Sequence, residues 1–331
     1  MTPPVPMAEI WRGPFLESIH HGHAVICDAS GGIVEAWGDP QAVVMPRSSS
    51  KMLQALPLIT SGAADAARLW PEHLALACAS HQGAAIHTDR VQSWLDHIGC
   101  TVDDFRCGPQ EPADLPARYA LIRAGQTPCQ IHNNCSGKHA GFLTLNRHLG
   151  GSAEYVDPDH PVQRACLEAF EEVTAEASPG YGIDGCSAPN FATSLHGMAR
   201  AMAFFASAHD GASTQQGAAA RLVQAMVAFP ELVAGEGRAC TLLMRAMNGR
   251  VALKTGAEAF FIAIIPERKL GVALKITDGT TRGAECAIAA ILVRLGVLDP
   301  DHPATRQFLN APILNRRGIE TGMIRPGAAF A

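Results

Sequence analysis

Apolar residues run in short, strand-like stretches near both ends of the chain and recur at helical spacing between them. "HAVICDASGGIVEAWGD" has an apolar run at 24–27, a turn at Ser30-Gly31-Gly32 and a second run from Ile33 to Trp37, the pattern of a β-hairpin. "AVVMP" reads as a third short strand, stopped by Pro46. From about Ser49, "SKMLQALPLITSG" takes up helical spacing, with Gly62 as C-cap and Pro57 as a kink or early stop. Between about 70 and 233 the spacing predicts helices near 86–98, 116–124, 137–149, 161–175, 190–208 and 215–229. A short helix follows "GEGR" and ends at Met247. "VALKTG", "AFFIAIIP" and "LGVALKITDG" then read as three consecutive antiparallel strands, with a turn at Glu267-Arg268-Lys269. "TRGAECAIAAILVRLG" is the last predicted helix, N-capped by Thr280 or Thr281.

Strands at both ends with helices between them predict an α/β (α+β) fold, an antiparallel sheet built from both termini and flanked by helices. An inserted helical domain completes it. The expected boundaries are 1–65 with 235–331 for the sheet-containing α/β domain and 66–234 for the mainly helical one, with the active site at their interface. A chain of 331 residues suits this division.

Composition narrows the function classes. Hydrophobic residues make up 47% and charged residues 17%, which supplies a core and excludes extensive disorder. A net charge of -5 argues against nucleic acid or an anionic membrane as the main partner. "MTPPVPMAEIWRGPF" has neither the basic start nor the apolar core of a secretory signal, and no apolar stretch approaches the ~20 residues of a membrane span. A cytoplasmic protein is expected. Of its ten cysteines, Cys27, Cys78, Cys166 and Cys286 sit among apolar neighbours and read as buried small hydrophobes.

Lysine usage is more telling. Only five of the 26 basic residues are lysine: Lys51, Lys138, Lys254, Lys269 and Lys275. An amine can lose its proton or ligate a metal, and a guanidinium effectively cannot. Three of the five fall in motifs with chemical content.

S-x-x-K at the start of a helix sets Ser48 and Lys51 one turn apart, so a neutral amine there can take a hydroxyl proton. Taken alone, the same four residues also suit a polar helix start with a solvated lysine. "KTG" at 254–256 changes the balance, because S-x-x-K with a later K-T-G strand is the pair used by serine β-lactamases and penicillin-binding proteins. The S-D-N that normally faces them is missing, with Ser80 in "ACASHQG" or Asn133 and Asn134 as substitutes. In "NNCSGKHAGF", Cys135, Lys138 and His139 share one helical face, and "IDGCSAPNF" adds Asp184 and Cys186. Two thiols with a nitrogen ligand suit zinc, with His139 the ordinary choice over Lys138; the other reading is a glycine-rich loop with two incidental thiols.

"RSSSKMLQALPL", "CASHQG", "NNCSGKHAGFL", "GIDGCSAPNF", "AGEGR" and "LKTGAEA" stand in the order found in class 3, rhizobial-type L-asparaginases of the L-asparaginase II family, which this sequence resembles from about residue 10 to 325. The resemblance implies a serine β-lactamase/glutaminase-like fold, hydrolysis of L-asparagine to L-aspartate and ammonia through a Ser–Lys acyl-enzyme, and a homodimer. It carries two Ser–Lys tandems onto Ser48 with Lys51 and Ser80 with Lys254. It carries a zinc site onto Cys135, Lys138 and Cys186, with Asp184 nearby as a carboxylate near the metal or substrate. Arg47 and Asp184 are the candidate substrate anchors. Two alternatives differ in class: a penicillin-recognising esterase or peptidase on the same fold, and a non-catalytic zinc-stabilised binding protein.

Overall fold

The computed structural model describes residues 2–330. Strand β1 (Val5–Arg12) precedes the long strand β2 (Phe15–Cys27), then β3 (Ile33–Trp37) and the two-residue β4 (Val43–Val44). A 3-10 turn over Arg47–Ser50 leads into helix α1 (Lys51–Thr60). Helices α2 (Ala63–Ala66), α3 (Pro71–Ala77), α4 (Ala85–Ile98), α5 (Leu115–Ala124), α6 (Ser136–Leu149) and α7 (Pro161–Thr174) follow. The short strands β5 (Tyr181–Ile183), β6 (Pro189–Phe191) and β7 (Thr193–Ser194) precede α8 (Leu195–Ser207), α9 (Thr214–Ala228), α10 (Pro230–Val233) and α11 (Ala239–Ala246). The remaining elements are β8 (Ala252–Gly256), β9 (Phe260–Ile265), β10 (Leu270–Ile276), α12 (Thr281–Arg294), β11 (Ala311–Leu314) and β12 (Glu320–Pro326).

The chain is mixed α/β, with an eight-stranded antiparallel sheet drawn from both terminal segments in the order β11-β12-β1-β2-β10-β9-β8, and β3 also paired to β2. The bridge between the ends is β2: Gly22–Cys27 pair with Ile276–Gly271 of β10. All six residues of β9 are buried, so both faces of the sheet are covered there. Helices α8 and α12 both pack on β9 and β10. Each fully buried large apolar side chain contributes roughly 1.5–3 kcal/mol of transfer free energy. Gly271 is where α8 lies closest: a Cβ there would stand 2.0 Å from Ala203 N and 2.4 Å from Ala199 O, so only glycine admits the helix.

The fold departs from the sequence reading in several places, the unforeseen first strand β1 among them. "AVVMP" does not join the large sheet; Val43 and Val44 pair with Ser194 and Thr193. The helix expected from 190 starts at Leu195, because the preceding residues form β6 and β7. The helix of 281–294 is followed by two more strands, β11 and β12. Thr280 does hold the N-cap position of α12, but its side chain makes no capping bond; its own N–H donates to Asp278 Oδ1 at 2.9 Å.

Two compact units divide the chain. One takes the chain up to Ser49, Thr193–Ser207 and everything from Gly237; the other is Ser50–Ala192 with Ala208–Glu236. These boundaries differ from the expected 1–65, 66–234 and 235–331. Helix α1 belongs with the helical unit, where it packs on α6, α7 and α9, and α8 belongs with the sheet, packed on β2, β9 and β10. An apolar face goes wherever it finds cover, whatever its neighbours in sequence.

Candidate active site

In the sheet unit, the turn Arg47–Ser50 is set by backbone strain and a close approach. Arg47 has a φ of 50°, in the left-handed region that a residue with a Cβ occupies at a cost. Ser49 N donates to Pro46 O at 3.0 Å, closing the turn. Ser49 Oγ donates to the backbone carbonyl of Lys254 at 3.0 Å. Gly256 faces the same turn, and a Cβ there would lie 2.5 Å from Pro46 O and 3.0 Å from Ser49 Oγ. The S-S-S-K and K-T-G segments are therefore in contact through Ser49 and Gly256. Ser48 is half-buried between Arg47 and Ser49.

Lys254 lies on the edge strand β8 and is 0% exposed. Its Nζ donates to Thr255 O at 2.7 Å. Burial raises the pKa of the neighbouring Cys240 thiol, and the Lys254 amine opposes that shift.

In the helical unit, Lys51 opens α1 and is 1% exposed. Its Nζ donates to Ser80 Oγ at 2.9 Å, to Cys135 Sγ at 3.1 Å and to Ala79 O. The backbone of Ser80 is fixed as well, its N–H donating to Val233 O at 2.9 Å. The contact of Lys51 with Ser80 was not legible from spacing, which had joined Lys51 to Ser48, nor from the resemblance, which had joined Ser80 to Lys254.

Helix α6 supplies the second cluster. Cys135 precedes its first turn, and Lys138 and His139 lie within that turn, all three buried. The helix is buried all round from Ser136 to Asn146, and Gly137 permits its approach to α3, since a Cβ would stand 2.4 Å from Leu76 O. Cys186 arrives on the turn between β5 and β6, held by Ser187 N to Asp184 O and Asp184 N to Ala188 O, each 2.9 Å. Lys138 Nζ donates to Cys186 Sγ at 3.0 Å. A hydrogen bond from Cys135, outweighing burial, and the nearby Lys138 ammonium draw the Cys186 thiol well below its ordinary range. Burial works to lower Lys138, but Cys186 and Cys135 prevail and raise it, with Asp184 adding to them. Asp184 is half-exposed, and its Oδ1 accepts from Gly185 N at 2.7 Å.

His139 is the neighbour whose part the sequence left open. Its Nδ1 is within hydrogen-bond distance of Tyr155 OH, 2.9 Å, while the buried Nε2 has no hydrogen-bond partner. Burial lowers its pKa, and Cys186 opposes that shift. Among the described residues no group of three or more His, Cys, Asp or Glu could hold a metal ion. A cation at this cluster would instead need the two thiolates and a nitrogen from Lys138. As a donor set, two soft sulfurs with an amine, beside an imidazole nitrogen that lacks a partner, fit zinc once Lys138 gives up its proton.

Sequence reasoning passed over His81. It is 2% exposed; its Nδ1 accepts from Gly83 N at 3.1 Å and its Nε2 donates to Ser136 Oγ at 2.9 Å, tying the Ser80 loop to the start of α6. The signal was its place beside Ser80 in "CASHQG".

The family model described as L-asparaginase II matches residues 8–326. No curated protein matches the chain. Among solved structures, a β-lactamase from Mycobacterium bovis is 13% identical over 82% of this chain and 94% of its own, with a TM-score of 0.46. Mglu in its tris and glutamate form is 12% identical, covers 85% of this chain and 60% of its own, and has a TM-score of 0.47. The octameric penicillin-binding protein homologue from Pyrococcus abyssi is 12% identical over 93% and 84%, with a TM-score of 0.37.

Proposed function

We propose a reaction for this chain from one premise: it belongs to the L-asparaginase II family. It is an amidohydrolase of the class 3, rhizobial type, which hydrolyses L-asparagine to L-aspartate and ammonia as a homodimer. The observation that carries this reading is the family match over residues 8–326, and the buried Lys51–Ser80 contact supports a Ser–Lys site within it.

In this mechanism Ser48 Oγ attacks the side-chain amide carbon, and neutral Lys51 takes the hydroxyl proton. The C–N bond breaks, the proton passes to the leaving nitrogen, and ammonia departs, leaving an aspartyl ester on Ser48. Water adds to that ester, its proton returns through the same amine, and L-aspartate leaves. In this mechanism Ser80 relays these protons, a role supported by the hydrogen bond it accepts from Lys51 Nζ, and Lys254 polarises the second serine. Arg47 and Asp184 anchor the α-carboxylate and α-amino groups of the substrate. Arginine at position 51 or 254 would keep a charge and supply no base.

Cys135, Lys138 and Cys186 would hold one zinc ion, with His139 as the neighbouring nitrogen. Bound there, zinc would supply a fixed positive charge for a polar substrate group. The chain's own residues hold Asp184 and Cys186 on one turn, so a metal held by Cys186 would have that carboxylate beside it.

The test is ammonia release from L-asparagine by wild type and by Ser48→Ala. Turnover by wild type with its loss in a folded Ser48→Ala supports the reading. Absence of ammonia release by the zinc-loaded wild type overturns it, and turnover retained in Ser48→Ala moves the nucleophile away from Ser48.

A further inference from the structure

A groove of about 490 Å³ lies in the helical unit, where the residues after α2 meet the last turns of α4 and α6. Its lining is unusual in charge: Arg68, Arg147, His97 and His148 contribute to it, and no carboxylate does. Ala66, Ala67 and the edge of Ile98 supply apolar surface.

Basic side chains in a final helical turn ordinarily answer the unpaired carbonyls there. This accounts for part of the cluster. His97 Nε2 is 2.7 Å from Ala67 O, a contact internal to the fold. Arg68 is different. It follows α2 with a φ of 50°, in the left-handed region, and is exposed. Asp65, the acid nearest to it in sequence, is taken by Arg221 at 2.9 Å. Arg147 lies against the Cys100 thiol, which it pulls down against the burial that raises it. Arg90, by contrast, is matched to Glu72 at 3.3 Å and Arg250 to Glu267 at 3.2 Å. Among the described residues neither Arg68 nor Arg147 has a carboxylate partner.

Two guanidinium forks facing one groove match the planar, bidentate demand of a phosphate group. The volume is that of a small-molecule pocket, larger than a bare anion needs, and the apolar surface gives the rest of such a ligand somewhere to lie. We propose that this groove, formed by Arg68 and Arg147 over Ala66, Ala67 and Ile98, binds a phosphate ester with a planar or apolar body, of nucleoside monophosphate size. Such a ligand holds its phosphate between the two arginines. The site is separate from the serines, lysines and cysteines named above.

Calorimetric titration with AMP at constant ionic strength tests this, with inorganic phosphate and L-aspartate as comparison probes. Saturable AMP binding is expected, at least tenfold tighter than either comparison probe. Arg68→Gln and Arg147→Gln should each weaken it at least tenfold, and the double variant should abolish it while ammonia release from L-asparagine is unchanged. In wild type, AMP should also protect Arg68 and Arg147 from phenylglyoxal, a readout independent of any variant. No saturable AMP binding by wild type overturns the proposal, as does binding unchanged in the double variant. Equal affinity for AMP, phosphate and L-aspartate overturns the ligand class.

Discussion

Gly256→Ala probes the contact that joins the two motifs of the sheet unit. An added Cβ would meet Pro46 O at 2.5 Å, about 0.9 Å inside ordinary contact, and Ser49 Oγ at 3.0 Å. Both obstacles belong to the turn that carries Ser48, and one is a backbone oxygen that cannot swing aside. The turn must then move by most of an ångström, because β8 is held by its pairing with β9. Overpacking of this kind costs roughly 1–3 kcal/mol. A displacement near 1 Å in a positioned reactant costs on the order of 10²-fold in rate. The variant should therefore lose about two orders of magnitude in kcat for L-asparagine while melting only modestly earlier. Ammonia release by protein shown to be folded by circular dichroism, at a temperature well below its Tm, measures the first effect. Unfolding by urea measures the second. Wild-type kcat in a folded Gly256→Ala would refute the link between Gly256 and the placement of Ser48, and a loss accounted for entirely by unfolded protein would do the same.

Lys51→Arg should lose ~10²–10⁴ of kcat at every pH from about 6 to 10, the usual range for a lost acid–base group, and an active arginine variant would remove Lys51 as the base. The chain should hold about one zinc per protomer, and Cys135→Ser with Cys186→Ser should lose the metal and lower Tm; full zinc content in that double variant by metal analysis would point to other ligands. Acid should destabilise the helical unit through His81 and His87, which stack 4.8 Å apart and whose pKa values burial lowers, His81 well below the ordinary 6.5. A base whose folded pKa is depressed gives stability that is complete above 6.5 and lost as pH falls toward the folded value, at ~1.4 kcal/mol per unit of depression. Urea unfolding at pH 7.5 and 5 should therefore show a clear loss, with no change in stability as the contrary result.

Much of this was legible in the chain because the pattern is local. The strands at 252–256, 260–265 and 270–276 announce themselves as apolar runs split by turns, and S-x-x-K and K-T-G are each read within four residues. The strands that were missed carry their own contradictions. In β11, "APIL" contains a proline, tolerated because that strand is the sheet edge. In β12, "ETGMIRP" holds Gly322, needed where a Cβ would stand 2.2 Å from Trp11 O. At the site, residue types were readable and partners were not. Lys51 meets Ser80 through the packing of α1 and α3, and no spacing rule spans 29 residues. Asp184 and Cys186 were visible as a pair, while the β5–β6 turn that presents them was not.

The sheet shared between the two ends of the chain also sets an order of events during synthesis. Residues 22–27 leave the ribosome early, and residues 271–276, their partners, leave it near the end. Most of the helical unit, Ser50–Ala192, is one uninterrupted stretch that is complete in between. It has the opportunity to condense while β1 and β2 still wait with open edges, the state most exposed to wrong pairing. Ser48 and its supporting turn cannot be braced until Lys254 and Gly256 are made. Truncation after α11 would leave the turn that carries Ser48 without the strand it leans on.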